Sequence, residues 1–358
     1  MRVVIVGASG NAGTALLRRL RPEPGASLVG VARRLPPRTA DYADVEWHSC
    51  DIGAPDAAAR LAPIVTGADA VVHLAWQIQP SHHRRRLYRT NVLGSAHVAE
   101  ATVRAGVPAL VFASSVGVYA PGPKDAYVRE NYPRTGVLAS SYSRHKVLVE
   151  GLLDVVEAHH PALRVVRLRP GLIFQREAGT EIGRYFAGPM FPAGLLRAGR
   201  IPVLPAHRRL RMQAVHADDV AEAYARVLLG DVRGAFNIAA APVLDPVVAG
   251  RAFRGVGIPV PGAVLRGAAA FSWRLRLQPI DSGWVDLGLQ SPLMSCDRAA
   301  AELGWRPRHD AVSALRELVA GMAARSHTAS APLSSDPELP GRFGGLVHGR
   351  LPGQGDPY

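Results

Sequence analysis

Short apolar runs alternate with amphipathic stretches through the first 170 residues, the pattern of a parallel sheet joined by crossover helices. Strands are expected at Arg2–Val6, Ser27–Ala32, Val45–Trp47, Ala70–Leu74, Leu110–Ala113 and Arg164–Leu168. Helical periodicity falls at Ala12–Leu20, near Asp56–Ile64, from about His83 to Ala105, and from Ser141 to about His159. Each parallel connection should be right-handed. After Arg169-Pro170-Gly171 the regularity fades into a stretch rich in Gly, Pro and Arg. Gln213–Leu229 then reads as a short strand and a helix, and Ala235–Ala239 as a last strand. Residues 241–325 look mostly helical, with breaks around Ile258–Gly262 and an amphipathic helix near Ala311–Ala324. The expectation is an α/β chain with a doubly wound parallel sheet from residues 1–171 and 213–240. A smaller, mostly helical part would come from 172–212 and 241–325, and 326–358, lacking any period, would be a disordered tail.

Composition narrows the classes. With 48% apolar and 20% charged residues the chain fits a globular protein with a sizeable core. Cys50 and Cys296 cannot make a disulfide framework, and no Cys/His spacing reads as a metal site. No leader precedes the first strand, and the uncharged stretch between Arg104 and Lys124 holds too much Ser, Gly and Pro for a membrane span. A cytoplasmic location and no membrane partner are therefore expected. The formal charge of +13 raises the question of nucleic acid. Against it, aromatics are only 6% and the arginines are scattered, the densest run being His82-His83-Arg84-Arg85-Arg86. A basic surface suits small anionic ligands instead.

The first turn carries the strongest motif. Gly7-Ala8-Ser9-Gly10-Asn11-Ala12-Gly13 follows the first strand directly and opens the first helix. Glycines there allow a sharp turn and close approach to a pyrophosphate, and the helix N-terminus offers free N–H groups to phosphate. A dinucleotide is the expected cofactor. At the end of the second strand an acidic residue would bind the ribose 2′-hydroxyl of NAD; Arg33 and Arg34 stand there, favouring the 2′-phosphate of NADP over NAD. Asp51 could accept from the adenine amine, with Ile52 beside the ring.

Only two lysines occur in the chain, Lys124 and Lys146, and Lys146 lies four residues after Tyr142. On a helix this spacing puts both on one face. A nearby ammonium favours the phenolate and lowers a phenol's pKa from about 10, making Tyr142 a candidate proton donor and acceptor.

Taken together, these residues resemble the extended short-chain dehydrogenase/reductases of the NAD(P)-dependent epimerase/dehydratase family, over about residues 1–240. The resemblance rests on Gly7/Gly10/Gly13, Asp51-Ile52, His73-Leu74-Ala75, Asn91-Val92-Leu93-Gly94, and Phe112-Ala113-Ser114-Ser115-Val116-Gly117-Val118-Tyr119. Tyr142/Lys146, Arg169-Pro170-Gly171 and Val215-His216-Ala217-Asp218-Asp219-Val220 complete it. It implies a Rossmann-type fold, and hydride transfer at a hydroxyl- or carbonyl-bearing carbon of a small molecule, with Tyr142 as acid/base. It further implies that Lys146 binds the nicotinamide ribose, that Ser115 (Ser114 competing) positions the substrate oxygen, and that Asn91 supports backbone near the lysine. Leu74, Ala75, Trp76, Ala113, Pro170 and Gly171 join the loop residues Gly7, Ser9, Gly10, Asn11, Ala12 and Gly13 as expected cofactor contacts. Trp76 could also line an apolar substrate pocket. A homodimer is the family's usual arrangement.

Two departures from the family pattern bear on substrate. Sugar-nucleotide members commonly place an arginine four residues before His216, where this chain has Met212, with Arg209 and Arg211 close by. Dehydratases usually place an acidic pair after the serine, where this chain has Val116-Gly117. An epimerase-type cycle, an NADPH-dependent carbonyl reductase and a non-catalytic dinucleotide sensor are the readings that follow, the last disfavoured by Tyr142 and Lys146.

Overall fold

A computed structural model describes residues 1–183, 185, 201–278 and 280–334. Seven strands form one parallel sheet in the order Gly234–Ile238, Arg164–Pro170, Ala109–Ala113, Ala70–His73, Arg2–Val6, Ser27–Ala32, Glu46–Ser49. The first strand pairs on both sides, Val4 with Val29 and Val4 with Val71. The chain therefore winds outward in both directions from it, and the crevice beyond the carboxyl ends of these strands is the switch point where ligands bind in such sheets. This is a Rossmann-type, doubly wound fold.

Strand alternation divides the core into two layers. Val3 and Ile5 pack on one face with Leu16, Leu17 and Leu20 of the helix Asn11–Leu20 and with Tyr224 of the helix Ala217–Leu229. Val4 and Val6 pack on the other with Leu61, Val98 and Leu153. All these side chains are at most 2% exposed, and each buried branched side chain contributes roughly 1.5–3 kcal/mol.

The long helix expected from about His83 to Ala105 is broken into an α-helix at Arg84–Tyr88, a π-helical turn at Arg89–Leu93 and an α-helix at Gly94–Arg104. Two contacts account for the wider turn, a feature frequent at functional sites. A Cβ on Gly94 would lie 2.7 Å from Ile52 Cγ1, so the helix presses directly on the loop after the third strand. Asn91, within the turn, reaches the backbone of Gln77.

Beyond residue 171 short strands join the expected helices. Leu172–Phe174, Met212–His216 and Ala240–Leu244 form a three-stranded sheet, and Val203–Ala206 pairs with Val256–Pro259. The helices Gly262–Arg274 and Ser282–Gln290 pack on each other, and Ala311–Ala324 covers the small sheet. The expectation of a disordered tail from residue 326 fails for its first part. Ser330 and Leu333 are fully buried, and Thr328 Oγ1 lies 2.9 Å from the Tyr42 hydroxyl. Leu333 joins an apolar cluster with Ala178, Ala311 and Leu318, which gives this segment a core to pack on. Residues 335–358 lie outside the described residues, as does most of 184–200 within the Gly/Pro/Arg-rich stretch. Among the described residues no helix is long and apolar enough to cross a membrane.

Candidate active site

A cavity of about 770 Å³ runs along the carboxyl ends of the strands, between the sheet and the later helices. Every residue expected to contact cofactor or substrate lines it, with one exception, Asn91.

At one end the phosphate loop wraps the start of the first helix. Gly7 has φ +92°, in the region glycine favours, and a Cβ there would stand 2.5 Å from the Ala75 nitrogen. A Cβ on Gly13 would stand 2.4 Å from the Gly7 carbonyl oxygen and 2.6 Å from that of Ala8. The first helical turn carries no acidic residue and no side-chain cap. Its N–H groups and dipole thus face the cavity without internal anions, as a bound pyrophosphate requires. The glycine cradle and this helix end fit a dinucleotide. Asn11 is partly committed elsewhere: its Oδ1 accepts from Gln175 Nε2 at 2.6 Å, and its Nδ2 donates to the Ile173 carbonyl at 3.3 Å. Arg33 and Arg34 line the cavity past the second strand, and Asp51 Oδ1 accepts from the Gly53 N–H at 3.0 Å.

Tyr142 and Lys146 lie on the first turns of the helix Ser141–His159, whose N-terminus is capped by Ser140 accepting from Ser143 N–H. Ser115 follows the fifth strand; its hydroxyl bonds the Tyr142 phenol and also accepts the Gly117 N–H at 3.0 Å. Ser114 is turned to other work, donating to Glu150 Oε1 at 2.5 Å. Of the two serines, Ser115 is the one bonded to Tyr142.

The electrostatics differ from the expectation that Lys146 lowers the Tyr142 pKa. Burial pushes the Tyr142 phenol up to about 12, with the Ser115 hydrogen bond acting in the opposite direction. Burial also drives Lys146 well below its ordinary value, partly offset by Glu150 one turn along the helix. Lys146 Nζ donates to the Ala113 carbonyl at 2.5 Å and lies 3.4 Å above the centre of the Trp76 ring, but 5.8 Å from that of Tyr142. Desolvation dominates both groups, so the helical spacing alone did not set the protonation states.

Asn91 supports the site from behind. Its Oδ1 accepts from the Gln77 N–H at 2.8 Å and its Nδ2 donates to the Gln77 carbonyl at 3.0 Å. The backbone it holds is the loop carrying Trp76, which in turn underlies Lys146. Behind Asn91, Ser95 donates to the Asn91 carbonyl at 2.6 Å and meets His73 Nε2 at 2.8 Å. Burial first, and Lys146 second, hold His73 down to about 3.

Some neighbours of the site carry no motif. Trp284, on the helix Ser282–Gln290, has its ring 5.2 Å from that of Tyr142 and lies more than a hundred residues away in sequence. Tyr224 also lines the cavity, fully buried, its pKa raised by burial and by Tyr142. His216 and Asp219 are structural: His216 Nδ1 accepts the Asp218 N–H, and Asp219 accepts the N–H groups of Arg308 and His309.

The model of the NAD dependent epimerase/dehydratase family matches residues 3–239, two thirds of the chain. The chain belongs to this family. Among its relatives, the uncharacterized Mycobacterium tuberculosis protein Rv2047c is 28% identical over 330 residues, 91% of this chain but only 30% of that protein. The chain thus spans under a third of that relative's length. The sterol-4-alpha-carboxylate 3-dehydrogenase ERG26, decarboxylating, of Saccharomyces cerevisiae is 30% identical over 184 residues, 48% of this chain and 51% of that protein. Among solved structures, the UDP-glucose-4-epimerase of Stenotrophomonas maltophila with bound NAD superposes with TM-score 0.69 at 21% identity, covering 91% of this chain and 99% of that one. At that identity the solved structure shares the Rossmann-type fold with this chain.

Proposed function

We propose that the protein is an NADP-preferring dehydrogenase or carbonyl reductase acting on a hydroxyl- or carbonyl-bearing carbon of an apolar small molecule. The observation that carries this reading is the junction of Ser115, Tyr142 and Lys146 with the dinucleotide cradle in one cavity. Gly7, Gly10 and Gly13 would admit the pyrophosphate, and Arg33 and Arg34 the 2′-phosphate. The nicotinamide, when bound, supplies or accepts the hydride.

The protein's own part is proton handling and positioning. Ser115 donates to or accepts from the substrate oxygen and keeps it against the Tyr142 hydroxyl. With its pKa raised to about 12, Tyr142 holds its proton across the working range and gives it to the oxygen formed when a carbonyl is reduced. Lys146 holds the helix face to the fifth strand through the Ala113 carbonyl. Trp76 and Trp284 close over Tyr142, with ring centres 6.1 and 5.2 Å away, and exclude water from it. The remainder of the substrate end is lined by apolar groups such as Ile78, Leu210, Met212 and Val285, which suits an apolar body better than a nucleotide.

The deciding measurement is the nucleotide released on denaturing the purified protein, together with its affinities for NADPH and NADH. An empty protein that binds NADPH at least about tenfold more tightly supports the reading. Stoichiometric NAD retained through purification would sink it in favour of an epimerase cycle, in which the hydride returns to the same substrate. Tyr142→Phe should abolish turnover with dinucleotide affinity kept; unaltered behaviour in every assay would mark a sensor.

A further inference from the structure

Lys124, the chain's other lysine, is 6% exposed and lines the substrate end of the same cavity beside Arg211. It follows the fifth strand on an irregular segment and reaches across to the later part of the chain. There Nζ donates to the carbonyls of Arg211 at 2.8 Å and Gly288 at 2.9 Å. Arg211 returns one bond, Nη1 to the Lys124 carbonyl at 2.5 Å, while its Nε is buried with no partner among the described residues. Arg209 stands nearby, donating to the carbonyls of Leu289 and Gly122 at 2.9 Å each.

Three cations are thus gathered with carbonyl dipoles around them, and among the described residues no carboxylate pairs with any of them. Gathering a buried lysine and two partly buried arginines without a counter-ion is costly, because desolvation and mutual repulsion act together. Burial first, and then Arg209 and Arg211, lower the Lys124 pKa to about 7. Acidic residues do occur at this end of the protein. Asp286 is committed to Arg266 at 3.3 Å, and among the described residues neither it nor any other carboxylate acts on Lys124. A merely structural staple between two carbonyls would be served by a neutral donor such as glutamine, without the cost.

We infer that Lys124 and Arg211 form an anion subsite, and that the substrate is an apolar molecule bearing a carboxylate. Lys124 has one N–H left after its two carbonyl bonds, and Arg211 has its unused Nε–H. Two single donors match the two oxygens of a carboxylate. The apolar walls between this pair and Tyr142 accommodate the body of the acid, and the oxidisable or reducible carbon lies toward Ser115. This assignment rests on the function proposed above, of which it names the substrate class.

Binding of probe molecules to the full chain tests it without any turnover, so its failure is separable from failure of the hydride-transfer reading. Decanoate, 1-decanol and decyl phosphate are titrated by calorimetry at fixed ionic strength, into wild type, Lys124→Met and Lys124→Arg. The expected result is decanoate at least about tenfold tighter than 1-decanol in wild type, a ratio near one in K124M, and a ratio largely kept in K124R. Equal affinities for acid and alcohol in wild type, or no binding of either, overturn the inference without recourse to a variant. So does an acid preference that persists in K124M, or a K124M loss shared equally by both probes, the mark of a structural staple. Decyl phosphate binding more than about tenfold tighter than decanoate would assign the pair to phosphate esters and overturn the carboxylate.

Discussion

Replacing Glu150 by Gln is the sharpest test of what holds the helix carrying Tyr142 in place. Glu150 lies four residues beyond Lys146, and its side chain is 1% exposed. Its carboxylate accepts from Arg169 Nε at 2.9 Å and Nη2 at 2.6 Å, from Arg134 Nη1 at 2.9 Å, and from Ser114 Oγ at 2.5 Å. These bonds overcome the cost of burial and hold Glu150 down to about 2, well below the ordinary carboxylate range. At about 1.36 kcal/mol per pKa unit, that difference is on the order of 3 kcal/mol. The same interaction raises Arg169, and the two effects are one energy seen from either partner. An independent route gives a similar figure: breaking a buried ion pair from one side typically costs about 3–5 kcal/mol. Glutamine keeps the shape but leaves Arg169, 3% exposed at its side chain, with no other carboxylate partner among the described residues. For a protein of this size such a loss lowers Tm by roughly 4–7 °C. Differential scanning fluorimetry at pH 7, without added dinucleotide, reads it directly. The sign in pH follows from a depressed carboxylate: the contribution is complete above about 4.5 and lost as pH falls toward about 2. E150Q should therefore lack that portion of the acid sensitivity. A Tm drop below about 2 °C would refute the argument that this charge network fixes the helix.

Other outcomes follow from the geometry. Gly13→Ala places a methyl 2.4 Å from the Gly7 carbonyl oxygen, so dinucleotide affinity by fluorescence titration should fall at least about tenfold, about 1.4 kcal/mol. His73, held near 3 by burial, stays neutral in the fold while the unfolded chain protonates below about 6.5. Stability is thereby lost as pH falls from 6.5 toward 3, and His73→Gln should reduce the loss between pH 7 and 5 by roughly 1–2 kcal/mol in urea unfolding. Asn91→Ala frees both backbone bonds to Gln77 and should lower kcat with little change in Tm, as the loop carrying Trp76 loosens. Equal loss of Tm and activity would make Asn91 a folding residue only. Arg33→Ala with Arg34→Ala should narrow any NADPH-over-NADH preference to less than about threefold in paired binding assays.

The sequence by itself determined the elements and their order. Local apolar periodicity marks the strands at Arg2–Val6, Ser27–Ala32 and Ala70–His73 because residues buried on both faces must be apolar throughout. The glycine loop is legible for a similar reason, since Gly7 and Gly13 are required by backbone contacts within or beside one βα turn. Tyr142 and Lys146 were legible from helical spacing. What spacing could not supply is the environment: whether the lysine faces the phenol or a tryptophan ring depends on Trp76, which arrives from a separate loop. Protonation states follow burial, a property of the whole fold. The π-helical turn at Arg89–Leu93 arises from contacts with Ile52 and Gln77, neither adjacent in sequence. Residues 326–334 look like tail because they lack a period, and they are ordered only because a cluster built from Ala178, Ala311 and Leu318 receives Leu333. The substrate end shows the limit most clearly. Lys124, Arg211, Trp284 and Leu265 come from four separate segments with no shared motif, and only tertiary packing puts them around one cavity. Periodicity and turn chemistry are local and can be read along the chain, whereas desolvation and charge pairing depend on neighbours that only the fold brings together.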